Sequence, residues 1–286
     1  MPAARILTLT LLALLAFAGN SLLCRAALSR THIDAASFTT LRLLSGALVL
    51  WLLVRLRAGK SVGKGSWLSA LALFGYAAAF SFSYLQLPAA AGALILFGAV
   101  QTAMIGYGLW SGERLRVAQL SGLLLACAGL LGLLLPGLSA PPLASALLML
   151  GAGMAWGVYS VRGRGAGDAL KVTAGNFLRA VPMALVLSVL LWRGASFDPA
   201  GSGYAVLSGA LTSGVGYAIW YTALPFLKST TAATVQLSVP VIAALGGVAL
   251  LGEPVTLRLV LASIAILGGI ALVVLAGKPG PGPGRR

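Results

Sequence analysis

The sequence predicts an all-α integral membrane protein: ten transmembrane helices as two inverted five-helix repeats, both termini cytoplasmic. Three observations predict this. Hydrophobic residues make up 59% of the 286 and charged residues only 9%, with a mean hydropathy of +0.98. A soluble domain of this size carries far more charge on its surface. The apolar residues fall into runs of spanning length, and the order of motifs in the first half returns in the second.

A spanning helix needs about 20 apolar residues. Runs of that kind lie at 5–28, 36–57, 67–87, 89–111, 116–135, 142–162, 171–193, 203–227, 229–251 and 255–276. They leave no room for a soluble domain. Helix breakers fall between them at Pro88, Pro136, Pro141-Pro142, Pro199 and Pro254. Arg5 with the first run imitates a signal peptide. No clean Ala-x-Ala cleavage site follows and more spans come behind it, so it reads as a retained first helix. The tail from Lys278 to Arg286 alternates Pro and Gly, has nothing apolar to bury, and is expected to be disordered.

The repeat fixes the domain plan. Tyr84-Leu85-Gln86-Leu87-Pro88 closes the third run, Gly112-Glu113 ends the fourth and Ala128-Gly129 lies in the fifth. Tyr221-Thr222-Ala223-Leu224-Pro225, Gly252-Glu253 and Gly268-Gly269 follow in the same order, shifted by 137 residues at the first pair and 140 at the second. A duplication with that little slippage divides the chain into a first repeat at 1–138, a second at 139–277 and the tail at 278–286.

Charge sets orientation. With the N-terminus inside, fourteen Lys and Arg fall in inner segments, four (Arg25, Arg30, Arg193, Arg258) in outer ones, and Arg42 and Arg179 lie within spans. This positive-inside bias predicts both termini in the cytoplasm. Five spans per repeat is an odd number, so the second repeat enters the membrane from the opposite side. Inverted repeats let a central site open alternately to either face. The net charge of +15 does not point to nucleic acid, because the basic residues sit between apolar runs rather than on one polar face. Cys24 and Cys127 each lie inside an apolar run, with no spacing that suggests a disulfide or a metal site.

The carboxylates Asp34, Glu113, Asp168, Asp198 and Glu253, and also His32, all fall at span ends or in loops. A proton-coupled pump keeps such a group in the membrane interior. A hydrolytic membrane enzyme needs a base or a metal cluster. Neither pattern is visible. Gly112-Glu113 and Gly252-Glu253 read as structural caps: the Gly ends one helix in a left-handed conformation and the Glu favours the N-terminal dipole of the next, with Pro254 in its first turn. Gating is the alternative role.

Arg42 and Arg179 each sit in the second span of a repeat. A charge at the bilayer centre costs at least about 2.5 kcal/mol, so each must snorkel, pair or face a wet cavity. Either they are structural, bonded to helix ends, or they anchor or gate an anionic substrate group. Asn176 lies one turn before Arg179 and extends its polar face. The third span of each repeat carries an aromatic stripe: Tyr76, Phe80, Ser83 and Tyr84 in one, Tyr217, Trp220 and Tyr221 in the other. Phe80 and Tyr217 lie deep enough to wall a cavity; Tyr84 and Tyr221 lie near span ends, where a belt, packing or a gate are all open. Asn20, Gln101, Thr102, Gln236 and Ser238 lie deep in apolar runs, where they tie helices together or line a cavity. Gly122, Ala126 and Gly129, with Ala265, Gly268 and Gly269, read as sites of close helix packing.

Together these residues resemble the EamA-type permeases of the drug/metabolite transporter superfamily. The resemblance rests on Arg42 and Arg179, on Gly112-Glu113 and Gly252-Glu253, on Ser238-Val239-Pro240, which is similar to a Ser/Thr-x-Pro in the fourth helix, and on Trp156-Gly157, similar to a Trp-Gly in the first. The first half departs from it, reading Phe17-Ala18 and Val100-Gln101 at the corresponding places. The resemblance implies a bacterial inner-membrane carrier that exports amino acids or related metabolites by alternating access. The cavity residues expected are Phe17, Asn20, Phe80, Gln101, Trp156, Tyr159, Tyr217 and Gln236. No cofactor is expected, and the partners are a small-molecule solute and the lipid bilayer. Rival readings are an exporter of cationic drugs, which would want a membrane-embedded acid, a lipid-modifying enzyme, and a non-transporting membrane subunit.

Overall fold

A computed structural model describes residues 2–58, 65–110, 116–135, 137, 140–163, 168–223, 226–227 and 235–276. Gly112, Glu113 and the tail at 278–286 lie outside the described residues. Within them the regular structure is all helical: α1 Ala3–Arg30, α2 Ala35–Ala58, α3 Trp67–Tyr84, α4 Ala89–Trp110, α5 Val117–Leu134, α6 Leu143–Gly163 and α7 Ala169–Leu190. A 3-10 turn, Trp192–Gly194, precedes α8, which runs as Pro199–Leu207, a π-helical stretch Ser208–Val215, and Gly216–Ala223. Then come α9, Ser238–Leu251, and α10, Leu257–Ala276. Among the described residues eight helices, α1 to α7 and α10, are long and apolar enough to cross a membrane.

The acidic residues serve the helix starts. Asp34 Oδ1 accepts from the amides of Ala36 and Ser37, both at 2.9 Å, and its Oδ2 accepts from Ser196 N at 2.9 Å. Burial pushes this carboxyl up, but the bonds from Ser37, Ser196 and Ala36 outweigh it and hold it below the usual carboxylate range. Asp168 caps α7, and Asp198 caps α8 ahead of Pro199. Gly252 takes the left-handed conformation expected of it, at φ 66°.

Glu253 departs from the expected cap. α10 begins at Leu257, whose start is capped by Thr256 Oγ1 accepting from Leu259 N, so Pro254 is not in its first turn. The Glu253 carboxylate turns instead to α4. Oε2 accepts from Ala89 N at 2.8 Å, and Oε1 pairs with Arg25 Nε at 3.1 Å. The dipole it complements belongs to a helix distant in sequence, which spacing alone could not reveal.

Hydrogen bonds gather the helix ends into two sets. At one end Arg25 of α1 donates to Tyr84 O and Leu85 O after α3, Asp34 ties the start of α2 to the segment after α7, Ser145 of α6 donates to Gln86, and Arg258 of α10 bonds Leu135 after α5. At the other end Ser66 N donates to Asn176 of α7, Arg162 of α6 to Ser69 of α3, and Arg116 before α5 to Ala276 of α10. Successive helices therefore run in opposite directions. Packing partners also come in matched pairs: α3 lies on α6 and α7 while α8 lies on α1 and α2, and α4 lies on α6 while α9 lies on α1.

α5 and α10 pack on each other at the margin of the bundle through Gly122, Gly129 and Gly269, where an added Cβ would meet the facing helix within 2.4–2.7 Å. Gly268 was expected in that seam and is not: nothing lies within 4 Å of its would-be Cβ. At Gly209 an added Cβ would collide with Arg42 O and Ser45 Oγ, which is how α8 approaches α2 so closely.

Candidate functional site

Residues of α1, α3, α4, α6, α7 and α8, together with Leu227 and Gln236, line a cavity of about 660 Å³. That volume suits a small organic solute. It reaches Gly163 at the end of α6 and Ala169 at the start of α7, and stops at Phe80, one turn before the end of α3, and at Leu96 of α4. The end that it does not reach is the one closed by Arg25, Glu253 and the N-terminus of α4.

All eight residues expected at a cavity line this one: Phe17, Asn20, Phe80, Gln101, Trp156, Tyr159, Tyr217 and Gln236. Aromatic rings make its wall. Trp156 stacks on Tyr217 with centroids 5.3 Å apart, and lies 4.8 Å from Tyr76 and 5.3 Å from Tyr159. Phe17 lies 5.9 Å from Tyr217 and 5.7 Å from Trp220. Such rings give broad contact area with defined geometry.

The polar groups converge from other helices. Asn20 Nδ2 donates to Tyr76 Oη at 3.2 Å, while its Oδ1 accepts from Ser208 Oγ at 2.8 Å and Thr212 Oγ1 at 3.4 Å. The π-helical stretch of α8 carries both hydroxyls, and its Thr212 and Ser213 face the cavity. π-Helical segments are rare and are frequent at functional sites. Thr173 and Asn176 of α7 complete the polar lining toward Gly163 and Ala169.

The anchor and gate candidates separate. Arg42 is buried just behind the cavity wall, its guanidinium 4.9 Å from the Phe80 ring and 5.3 Å from that of Tyr76. Nη2 donates to Tyr76 Oη at 3.1 Å. Arg179 lies away from the cavity: it is half-buried, donates to Gly175 O of its own helix at 2.9 Å, and sits 6.0 Å from the Trp67 ring. It thus shares no polar face with Asn176, which points to the cavity and accepts from Ser66 N. Tyr221 lines the cavity, whereas Tyr84 is fully buried outside it with its ring on Phe80. Thr102 is exposed and bonds its own helix at Gly98 O.

Among the lining or supporting groups that the expected cavity set lacked are Tyr76, Ser208, Thr212 and Ser213. A signal existed for each. Tyr76 stands one turn before Phe80 on the aromatic stripe, and Ser208, Thr212 and Ser213 interrupt an apolar run between small residues.

Comparison with known proteins agrees with this architecture. The EamA-like transporter family matches residues 143–275. A protein of Pseudomonas aeruginosa, described as uncharacterized, is 59% identical over 275 residues, covering 96% of either chain. A solved crystal structure aligns over 94% of this chain and 98% of its own, with a TM-score of 0.67 at 21% identity, which is a likeness of fold. The chain belongs to the EamA-like transporter family, within the drug/metabolite transporter superfamily.

Proposed function

We propose that this protein is an alternating-access carrier of the bacterial inner membrane that exports amino acids or related small metabolites through the cavity between its two repeats. One observation carries the reading: an aromatic and polar cavity reaches one end of the bundle and stops short of the other. The open end holds Arg162 and Lys171, which positive-inside counting assigns to the cytoplasm. The sealed end holds Arg25, Arg30 and Arg258, assigned outside. The conformation is then inward-facing, ready to load solute from the cell.

The matched packing pairs support repeats at 1–138 and 139–277, with α1 answering to α6 and so on to α5 and α10. Exchange of α1 with α6, α2 with α7, α3 with α8 and α4 with α9 carries the packing of α3 on α6 and α7 into that of α8 on α1 and α2, and the packing of α4 on α6 into that of α9 on α1, a pattern in keeping with an inverted repeat. The carboxylates among the described residues cap helices or close the sealed end, and none lines the cavity. That favours a facilitative or solute-driven cycle over carboxylate-based proton coupling, and disfavours export of cationic drugs.

Counterflow in proteoliposomes tests the reading. Vesicles loaded with a mixture of amino acids take up each labelled species in turn, with and without an imposed pH gradient. Saturable exchange of a subset, insensitive to the gradient, is the expected outcome. Exchange of no amino acid or related metabolite refutes it.

A further inference from the structure

Arg42 is the one fully buried charged side chain among the described residues, at 2% exposure. Two of its nitrogens, Nε and Nη1, have no hydrogen-bond partner, and no carboxylate among the described residues pairs with it. The faces of Phe80 and Tyr76 offset part of that burial through cation–π attraction. A buried cation without a counter-charge remains costly, and such residues mark sites of function in membrane proteins.

Donor accounting at Tyr76 shows where that charge is felt. Its phenol oxygen accepts from Asn20 Nδ2 and from Arg42 Nη2. Arginine can only donate, so the phenol's own O–H must be given elsewhere. No described group accepts it, and Tyr76 stands in the cavity wall. The Ser213 hydroxyl, 2% exposed and also in the wall, has no partner either. The wall of the cavity therefore holds unspent donors, one polarised by a buried cation and one, Ser213 Oγ, buried just beneath the surface, and no described carboxylate lines it.

We propose that the Tyr76 and Ser213 hydroxyls receive a carboxylate of the transported solute, with Arg42 acting through Tyr76 as a positioning residue. This deepens the carrier reading above and rests on it. The solute's body then lies along the stacked rings of Trp156 and Tyr217, and its negative charge answers the unpaired guanidinium. The site selects for an anionic group and against amides of the same shape, which offer a weaker acceptor and no charge.

Matched probes test this on purified full-length protein: L-phenylalanine against L-phenylalaninamide, and 3-phenylpropionate against 3-phenylpropionamide, with binding followed by tryptophan fluorescence in a carboxylate-free, low-chloride HEPES buffer. The wild type is expected to prefer each acid by roughly ten- to a hundredfold, the worth of one hydrogen bond to a charged group. Tyr76→Phe keeps the ring and should bring both ratios near one by weakening the acids far more than the amides, in a variant that still folds with a lowered melting temperature because Arg42 Nη2 loses its acceptor. Arg42→Gln should do the same where it folds, and Ser213→Ala should lower the ratios several-fold. Equal affinity for acid and amide in the wild type, or a full preference surviving in Tyr76→Phe, overturns the assignment. So does competitive loss of the preference when sodium chloride is added, which would give the site to an inorganic ion. Vesicles that exchange amides as fast as acids would refute this assignment and leave the carrier reading standing; vesicles that exchange nothing would refute the carrier.

Discussion

Replacing Glu253 by Gln should unlock the sealed end of the bundle. The carboxylate makes two charge-assisted bonds, to Arg25 Nε at 3.1 Å and to Ala89 N at 2.8 Å. Arg25 in turn donates to Tyr84 O and Leu85 O, so α1, the turn after α3, the start of α4 and the end of α9 meet at one point. The two side chains are 19% and 11% exposed. That sets the pair between exposed pairs, worth at most about 1 kcal/mol, and buried ones, whose disruption costs about 3–5 kcal/mol. Gln retains an acceptor for Ala89 N and loses the ion pair, for a loss of about 2 kcal/mol. If these bonds exist only while this end is closed, the open population rises about thirtyfold. Cys24, fully buried beside Arg25, is a native reporter. In a Cys127→Ala background its labelling by a maleimide should quicken about thirtyfold in Glu253→Gln, with the melting temperature shifted by only a few degrees. Labelling within twofold of the parent, in a folded variant, would refute the role of this contact in closure.

Three further outcomes are expected. Gln101→Ala and Trp156→Ala should each lower transport several-fold while expression and folding are kept, and unchanged kinetics in both would remove them from the solute path. Gly209→Ala should destabilise the protein by about 1–3 kcal/mol, read as a lower melting temperature in detergent, because the added methyl meets Arg42 O and Ser45 Oγ. Asp34 has a folded-state carboxyl held below its ordinary value, so its contribution is fully present above the unfolded carboxylate range and drains as pH falls through the folded value. Thermal stability should therefore decline below about pH 4, and decline less steeply in Asp34→Asn.

The eight long apolar helices and the residues that line the cavity were legible in the sequence because both follow from local rules. Apolar run length sets the spans, and an amide such as Asn20 or Gln101 inside one must face a partner or a wet space. What lay beyond reach were pairings between distant helix ends. Glu253 sits beside α10 in sequence and caps α4 in space, since the start of α4 is brought to it by the packing of α9 on α4. Arg42 and Arg179 lie 137 residues apart, in α2 and α7, and only packing distinguishes them. The close approach of α8 at Gly209 encloses Arg42, whereas Arg179 falls where the start of α3 offers Trp67 and lets it stay half-exposed.

That inequality between matched residues bears on mechanism. Arg25 and Arg162 are 137 residues apart, the same interval as Tyr84 and Tyr221. Arg25 binds a carboxylate at the sealed end, while Arg162 donates to the Ser69 hydroxyl at the open one. Tyr84 is buried outside the cavity, and Tyr221 lines it. A device built from two inverted halves must be asymmetric in any one conformation, since one half closes its end while the other leaves its own open. Under the carrier reading, the opposite conformation exchanges these environments: Tyr84 enters the wall and Tyr221 withdraws. Cysteines placed at these two positions should then change accessibility in opposite directions when Glu253→Gln is introduced. A change of the same sign at both would mean that the bundle loosens rather than alternates.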